Sequence, residues 1–450
     1  MKRGYLVPHP PLIVPGVGKG SEIPDTRRAY EQIASEIENV NPETVVIISP
    51  HSILYGDYFH IAPGKGAEGD FGEFGAKNIK FSVSYDEEFA SLTGDFAREI
   101  GLPAGPLGVR KPALDHGVTV PLYFIKTRRI VRISLSGLPA IDHYRLGMCI
   151  ARAGEQLGRN FVIIASGDMS HKLKGSHYGF AAEGPEFDNL TRGRIERGDM
   201  RELVEIDPAL CEKAAECGFK SIAMLAGAFD GCKVGTKVLS YEGPFGVGYL
   251  TASFEETGRA ESLLPELLAA RDEKIKAIRS REDEYARLAR TSVEHFTLTG
   301  KRLKCPGGLS GGLLNDRAGV FVSIKKDGNL RGCIGTTMPT ESNIAEEIIS
   351  NGISAASRDP RFDPVEDSEL GGLTYSVDVL SPAEPINGKS ELDVNRFGVI
   401  VKCGKKSGLL LPALDGVDTV EDQISIALKK AGINQNEPYA LERFEVIRHT

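Results

Sequence analysis

His9, His51 and His171 each lie just beyond a short apolar run, a position from which an imidazole can reach a ligand. Val45 to Ile48 are all β-branched, as in a strand buried on both faces of a parallel sheet. Ser49-Pro50 stops that strand, because proline cannot donate to the ladder and restricts the residue before it. His51 is therefore the first side chain past a strand's carboxyl end, where open α/β sheets bind ligands. His9 stands among Pro8, Pro10 and Pro11, which hold the backbone extended and fix its direction. Phe161 to Ala165 is a second buried run, and it leads into Ser166-Gly167-Asp168-Met169-Ser170-His171. Each histidine alone reads equally as a loop residue. Three at equivalent positions of one sheet point to a metal or catalytic centre. Two imidazoles and one anionic ligand leave open positions on iron(II). A third, unligated histidine could move a proton as general base and acid.

The elements that must hold these residues alternate between strand and helix. Arg27 to Glu38 forms a helix with Tyr30, Ile33, Ala34 and Ile37 on one face, leading into the His51 strand. Residues 85–100 and 142–157 form two more helices, and Ile130 to Leu135 another strand. Asp115 is placed to cap a helix beginning near His116. Pro208 to Glu216 and Ser221 to Phe229 are helical, and Val238 to Tyr241 and Gly246 to Phe254 close the sheet. Gly16 to Ser21 lacks the spacing of a phosphate loop. The first half is thus α/β, with a mostly parallel central sheet. Glu255 to about Arg279 is charged and helical in spacing, and reads as a linker.

From about residue 278 the pattern turns antiparallel. Val320 to Ile324, a turn at Asp327-Gly328 and Leu330 to Gly335 form a hairpin. Thr340 is placed to cap a helix over 341–356. Tyr375, Val377 and Val379 alternate with polar residues, Val399 to Lys402 and Leu409 to Leu411 flank a turn, and 419–431 is helical. This is an α+β domain with an antiparallel sheet. The expected division is 1–257, a helical linker over 258–277, and 278–450.

Composition narrows the possible partners. A net charge of −8 over 450 residues argues against nucleic acid or an anionic membrane surface. Lys2 and Arg3 precede too short an apolar run for a signal peptide, and no apolar run spans a bilayer. The expected location is cytoplasmic. The seven cysteines form no CxxC pair and read as reduced thiols, so any metal site must be assembled from distant segments.

PHPP, SPH, LDHGVTVPL and SGDMSH, in that order over residues 1–255, resemble the class III extradiol ring-cleaving dioxygenases of the LigB type. They are also similar to the Memo proteins of the same fold. The resemblance implies His9 and His51 as metal ligands, His171 as the acid/base, and His116 as a substrate-contacting residue. Asp168 would orient the loop. Ring-cleaving members have a Glu as third ligand. Here Glu216-Cys217-Gly218 is similar to the CG segment of Memo, which implies Cys217, with Glu216 as the alternative. Iron(II) is the implied metal, and a thiolate would favour zinc or copper(I) more than a carboxylate does.

LRGCIGT (330–336), SRDPRFDPV (357–365), VDVLSPAEPI (377–386) and SGLLLP (407–412) resemble the AMMECR family. Arg331, Cys333, Arg358, Asp359 and Arg361 could line a polar cleft there, or Arg358 and Asp359 could simply form an ion pair. The fusion is similar to the AmmeMemoRadiSam system, which implies a separate radical-SAM protein as partner. The implied function is a dioxygenase-like oxidoreductase acting on a small aromatic substrate. The alternatives are a non-catalytic scaffold that holds a peptide in the same cleft, and metal-assisted hydrolysis.

Overall fold

The apolar runs around the three histidines become neighbouring strands. In the computed structural model, which describes residues 2–108, 113–414 and 416–450, the chain divides into Met1–Ala269 and Ala270–Thr450. The division falls inside the helix Leu264–Arg279. No helix among the described residues is long and apolar enough to cross a membrane.

The first unit is built on an eight-stranded sheet. Its five middle strands are parallel, in the order Ala76–Tyr85, Arg129–Ser134, Thr44–Ser49, Phe161–Ser166 and Arg3–Val7. Every residue of Thr44–Ser49 and Phe161–Ser166 is buried, as a strand covered on both faces requires. Side chains alternate between two cores. Tyr5, Val45, Ile47 and Val162 face Tyr30, Ile33 and Ile37 of the helix Pro24–Val40. Leu6, Val46, Ile48 and Ile163 face the helices Ala140–Gln156 and Phe219–Ala228. Those two helices meet backbone to backbone. A Cβ on Gly147 would stand 1.9 Å from the Met224 carbonyl oxygen, and one on Gly227 1.8 Å from that of Tyr144.

Two features depart from the sequence expectation. The last strand does not end at Phe254 but runs from Tyr249 to Arg259, paired antiparallel with Cys232–Glu242. Its charged residues, Glu255, Glu256 and Arg259, lie on half-exposed or exposed ladder positions, where alternation and helical spacing look alike over so few residues. The hairpin of Gly66–Phe71 and Ala76–Tyr85 is the other: Phe81, Val83 and Tyr85 alternate with polar residues as a strand should, but the glycines and charges of Gly66–Phe71 hide its partner.

The second unit has a seven-stranded sheet whose pairs are all antiparallel, with helices Glu284–Thr299, Ile344–Ser357 and Val420–Ala431 packed on it. Val320–Lys326 and Asn329–Gly335 turn at Asp327-Gly328, both at positive φ (49° and 82°), as a tight hairpin needs. Asn343, not Thr340, caps Ile344–Ser357, and its side chain accepts from the Glu346 N–H. Thr340 instead donates its N–H and hydroxyl to the buried Glu347.

Of the residues expected to line a polar cleft, Cys333, Asp359 and Arg361 are bonded together, and Arg331 is paired elsewhere. Arg331 grips Glu369 with two bonds, at 3.0 and 2.8 Å. The ion pair of Asp359 is with Arg361 rather than Arg358, at 2.7 Å. Asp359 Oδ2 accepts the Cys333 N–H at 2.9 Å, and Arg361 donates to the Cys333 carbonyl at 3.2 Å. The Arg361 guanidinium holds the Asp359 carboxyl down to about 2.

Candidate metal centre

His9 is fixed from three sides. Tyr30 donates its hydroxyl to the Pro8 carbonyl just before it. The His9 N–H donates to Asp168 Oδ1 at 2.8 Å, and its Nδ1 lies 2.9 Å from Ser166 Oγ at the end of the neighbouring strand. This leaves Nε2 facing the centre, 2.9 Å from His51 Nε2, 3.7 Å from Cys217 Sγ and 3.8 Å from Asp168 Oδ2. Burial first, then the His51 ring, pushes the His9 pKa well below the usual imidazole range, so the ring is neutral.

His51 follows its strand as expected, with its N–H donating to Ser49 Oγ. Asp115 stands at the cap position of the helix His116–Phe124, but its carboxylate makes no capping bond. It accepts from Ser49 Oγ at 2.5 Å and Ser52 Oγ at 2.6 Å, tying the His51 turn to the start of that helix. The His116 ring is thereby set 4.0 Å from that of His51 and 5.3 Å from that of His9. Burial, then His51 and His9, lowers its pKa to about 4.

The opposite side comes from the segment before Phe219–Ala228. Ala215 turns the chain in the left-handed region, at φ 52°. Glu216 then points along the next helix, accepting the Phe219 N–H at 2.5 Å, and burial raises its pKa to about 7. Cys217 points at His9 instead, and it accepts the Asp168 N–H at 3.2 Å. Burial, then Asp168 and Glu216, pushes its thiol well above the ordinary range. His171 lies 2.6 Å through Nδ1 from the Ala215 carbonyl. A carbonyl only accepts, so Nδ1 carries the proton and Nε2 has the free lone pair. That Nε2 is 4.0 Å from Asp168 Oδ2.

Two sets of donor atoms, each mutually within 4.8 Å, share His9. One is His9, His51 and His116; the other is His9, Asp168 and Cys217. The expected ligands His9, His51 and Cys217 are thus divided between the sets, and His116 and Asp168 come within ligand range as well. The spacing suits a metal. The donors nearest His9 are 2.9 Å from it in the first set and 3.7 and 3.8 Å from it in the second, separations that two ligands of one ion can have, whereas His51 and Cys217 share no set. The residue the sequence reading missed is Ser166, whose signal is a polar side chain closing a wholly buried strand.

Residues 3–252 match the family described as the catalytic LigB subunit of aromatic ring-opening dioxygenase, and residues 286–449 match AMMECR1. A protein of Clostridium acetobutylicum is 40% identical over 460 residues, covering 99% of this chain and 98% of its own. A Thermotoga maritima protein is 46% identical over 170 residues, which is 37% of this chain and 98% of that protein. The crystal structure of an uncharacterized Pyrococcus horikoshii protein aligns with 38% of this chain and 90% of its own, at 31% identity and a TM-score of 0.35.

Proposed function

Because this chain belongs to the LigB family of aromatic ring-opening dioxygenases and carries an AMMECR1 domain after it, we propose that its first unit is a non-haem, iron(II)-dependent oxidoreductase acting on a phenolic or catecholic ring. The observation that carries this reading is the buried, neutral His9, with His51 Nε2 at 2.9 Å and Cys217 Sγ at 3.7 Å. Once bound, the metal would supply open positions where the ring oxygens and dioxygen meet.

The chain's own residues do the rest. His9 and His51 offer lone pairs, and the Ser166 contact fixes the direction of the His9 ring. Cys217 would become anionic only on losing its proton to metal binding, and the softer thiolate widens the choice to zinc or copper(I). Glu216 is committed to its helix and does not compete. His171 takes the substrate hydroxyl proton on Nε2 and returns it later, while Asp168 steadies the imidazolium. His116 stands beside both proposed ligands, positioned to touch the substrate.

The test is anaerobic purification of the full chain, metal analysis, and oxygen uptake with a panel of phenols and catechols. About one metal per chain is expected, lost in both His9→Ala and His51→Ala, together with oxygen uptake on at least one catechol. Metal content unchanged in both variants would remove the centre from this reading. A metal-loaded protein that consumes no oxygen with any of the phenols would remove the chemistry.

A further inference from the structure

The centre belongs to an unbroken line of side chains with an exposed aromatic ring at each end. The Tyr178 ring lies 5.9 Å from that of His171, whose Nε2 is 4.0 Å from Asp168. Asp168 leads to His9 at 3.8 Å, and His9 to His51 at 2.9 Å. The His51 ring is 4.0 Å from His116, and His116 is 5.4 Å from Phe74. Tyr178 is 55% exposed and Phe74 37%.

Single exposed apolar residues are ordinary, but these two are mounted. The Tyr178 N–H donates to Ser176 Oγ at 3.1 Å, and Lys172 Nζ donates to the Tyr178 carbonyl at 2.5 Å. Ser176 Oγ in turn donates to the His171 carbonyl at 2.6 Å. The backbone of Tyr178 is thus bonded to the His171 segment while its ring stays in solvent. Phe74 ends a short turn at the tip of the Gly66–Tyr85 hairpin, and Gly75 follows it at φ 82°.

The unit exposes other large apolar side chains as well. Among the described residues of this unit, the exposed large apolar side chains are Leu54, Phe74, Ile100, Leu107, Tyr178, Phe180 and Phe245. All but Ile100 and Leu107 lie in segments that carry or contact a residue of the centre. Leu54 follows His51, and Phe180 follows Tyr178. The Phe245 turn is bonded to the His171 segment through Leu173 N–H and the Gly246 carbonyl at 3.1 Å.

We infer that Tyr178 and Phe74 are specificity-determining walls of the substrate site, and that the substrate is an aromatic ring with an apolar rather than a charged substituent. This rests on the reading of the centre given above. Aromatic rings attract one another edge to face or offset at centroid distances of about 4.5–7 Å. Both walls already sit at such distances from the histidines, Tyr178 on His171 and Phe74 on His116, so a ring bound beside either histidine would meet the adjoining wall.

The full chain, loaded anaerobically with iron(II), is titrated with nitrocatechol, whose absorbance shifts when it ionises at a metal. Metal content is measured on the same samples. Tyr178→Ala and Phe74→Ala should each weaken binding about three- to tenfold, the worth of one aromatic contact, with metal content unchanged. Tyr178→Phe restores the ring and should recover binding, and Ile100→Ala should match the parent. A tert-butyl catechol should displace nitrocatechol at lower concentration than a carboxylated catechol does. Wild-type binding in both alanine variants overturns the walls, and equal or better displacement by the carboxylated compound overturns the apolar substituent. A parent protein that holds metal but binds no nitrocatechol overturns the substrate class while leaving the metal centre standing. A parent that holds no metal overturns the centre, and the walls with it.

Discussion

Replacing Gly227 with alanine should loosen the candidate metal centre from inside the core. Gly227 lies where the helices Ala140–Gln156 and Phe219–Ala228 touch, and an added Cβ would stand 1.8 Å from the Tyr144 carbonyl oxygen. Carbon and oxygen come no closer than about 3.3 Å in favourable contacts, so the helices must part by roughly 1.5 Å. A radial gap of only about 0.5–1 Å already forfeits a quarter to a half of each dispersion contact. Leu146, Ile150, Met224 and Leu225 are buried there, and all would feel it. Overpacking of a tight core costs about 1–3 kcal/mol, and backbone against backbone belongs at the top of that range. The expected loss is therefore about 3 kcal/mol, at the upper end of what single substitutions usually cost. The same shift reaches the site, because Gly218, just before Phe219–Ala228, packs on the Asp168 loop and Cys217 precedes it. A Cβ on Gly218 would be 3.0 Å from the Asp168 carbonyl oxygen. Urea unfolding of the full chain, followed by circular dichroism, measures the first effect, and metal content measures the second. Gly193→Ala is the control, since its nearest neighbour is the flexible end of Arg197 at 3.3 Å and alanine favours its helix. A Gly227→Ala protein within about 0.5 kcal/mol of the parent, the range of an inconsequential surface change, would refute the argument.

His171→Ala should keep its metal yet lose turnover by about 10²–10⁴-fold, the usual worth of a positioned acid/base; loss of metal would make His171 a ligand instead. Asp188, buried and accepting from the Ser170 N–H and the Tyr241 hydroxyl, has its pKa raised by burial to about 6. Its folded form therefore holds a proton that the unfolded chain releases above about pH 4, so stability falls as pH rises from about 4 to 6, by up to about 3 kcal/mol. Asp188→Asn should remove that fall, measured as the difference between the two unfolding curves across this window, and parallel curves would count against it. Glu347→Ala should destabilise the second unit by about 2–4 kcal/mol, because the Thr340 and Glu341 N–H groups and the Thr336 and Thr340 hydroxyls all lose their acceptor. An unchanged urea midpoint of the second transition would contradict this.

The parallel sheet and its rim histidines were legible because unbroken β-branched runs and prolines state both the strand and its end. Thr44–Ser49 and Phe161–Ser166 needed nothing else. The antiparallel second half was legible at Asp327-Gly328, where the turn demands two positive φ angles. The choice between Glu216 and Cys217 was not legible from spacing, since both are adjacent and either could face inward. It depends on Ala215 entering the left-handed region, which turns one side chain to the helix and the other to His9. The approach of His116 and Asp168 to His9 was equally hidden. Their approach depends on strand order and on where Asp115 spends its carboxylate, and neither is a local property of the chain.

The bonds of Asp359 and Arg361 to Cys333 have a consequence for how this protein meets other copies of itself. Asn329–Gly335 is the outermost strand of its sheet, and an outermost strand's unpaired groups are a template on which a foreign strand can add. At Cys333 both groups are taken, the N–H by a carboxylate and the carbonyl by a guanidinium, and those two side chains are locked to each other. Together they imitate one residue of a neighbouring strand without offering a further edge beyond it. The SRDPRFDP segment thus blocks this edge at Cys333, where a strand of another copy would first have to displace it.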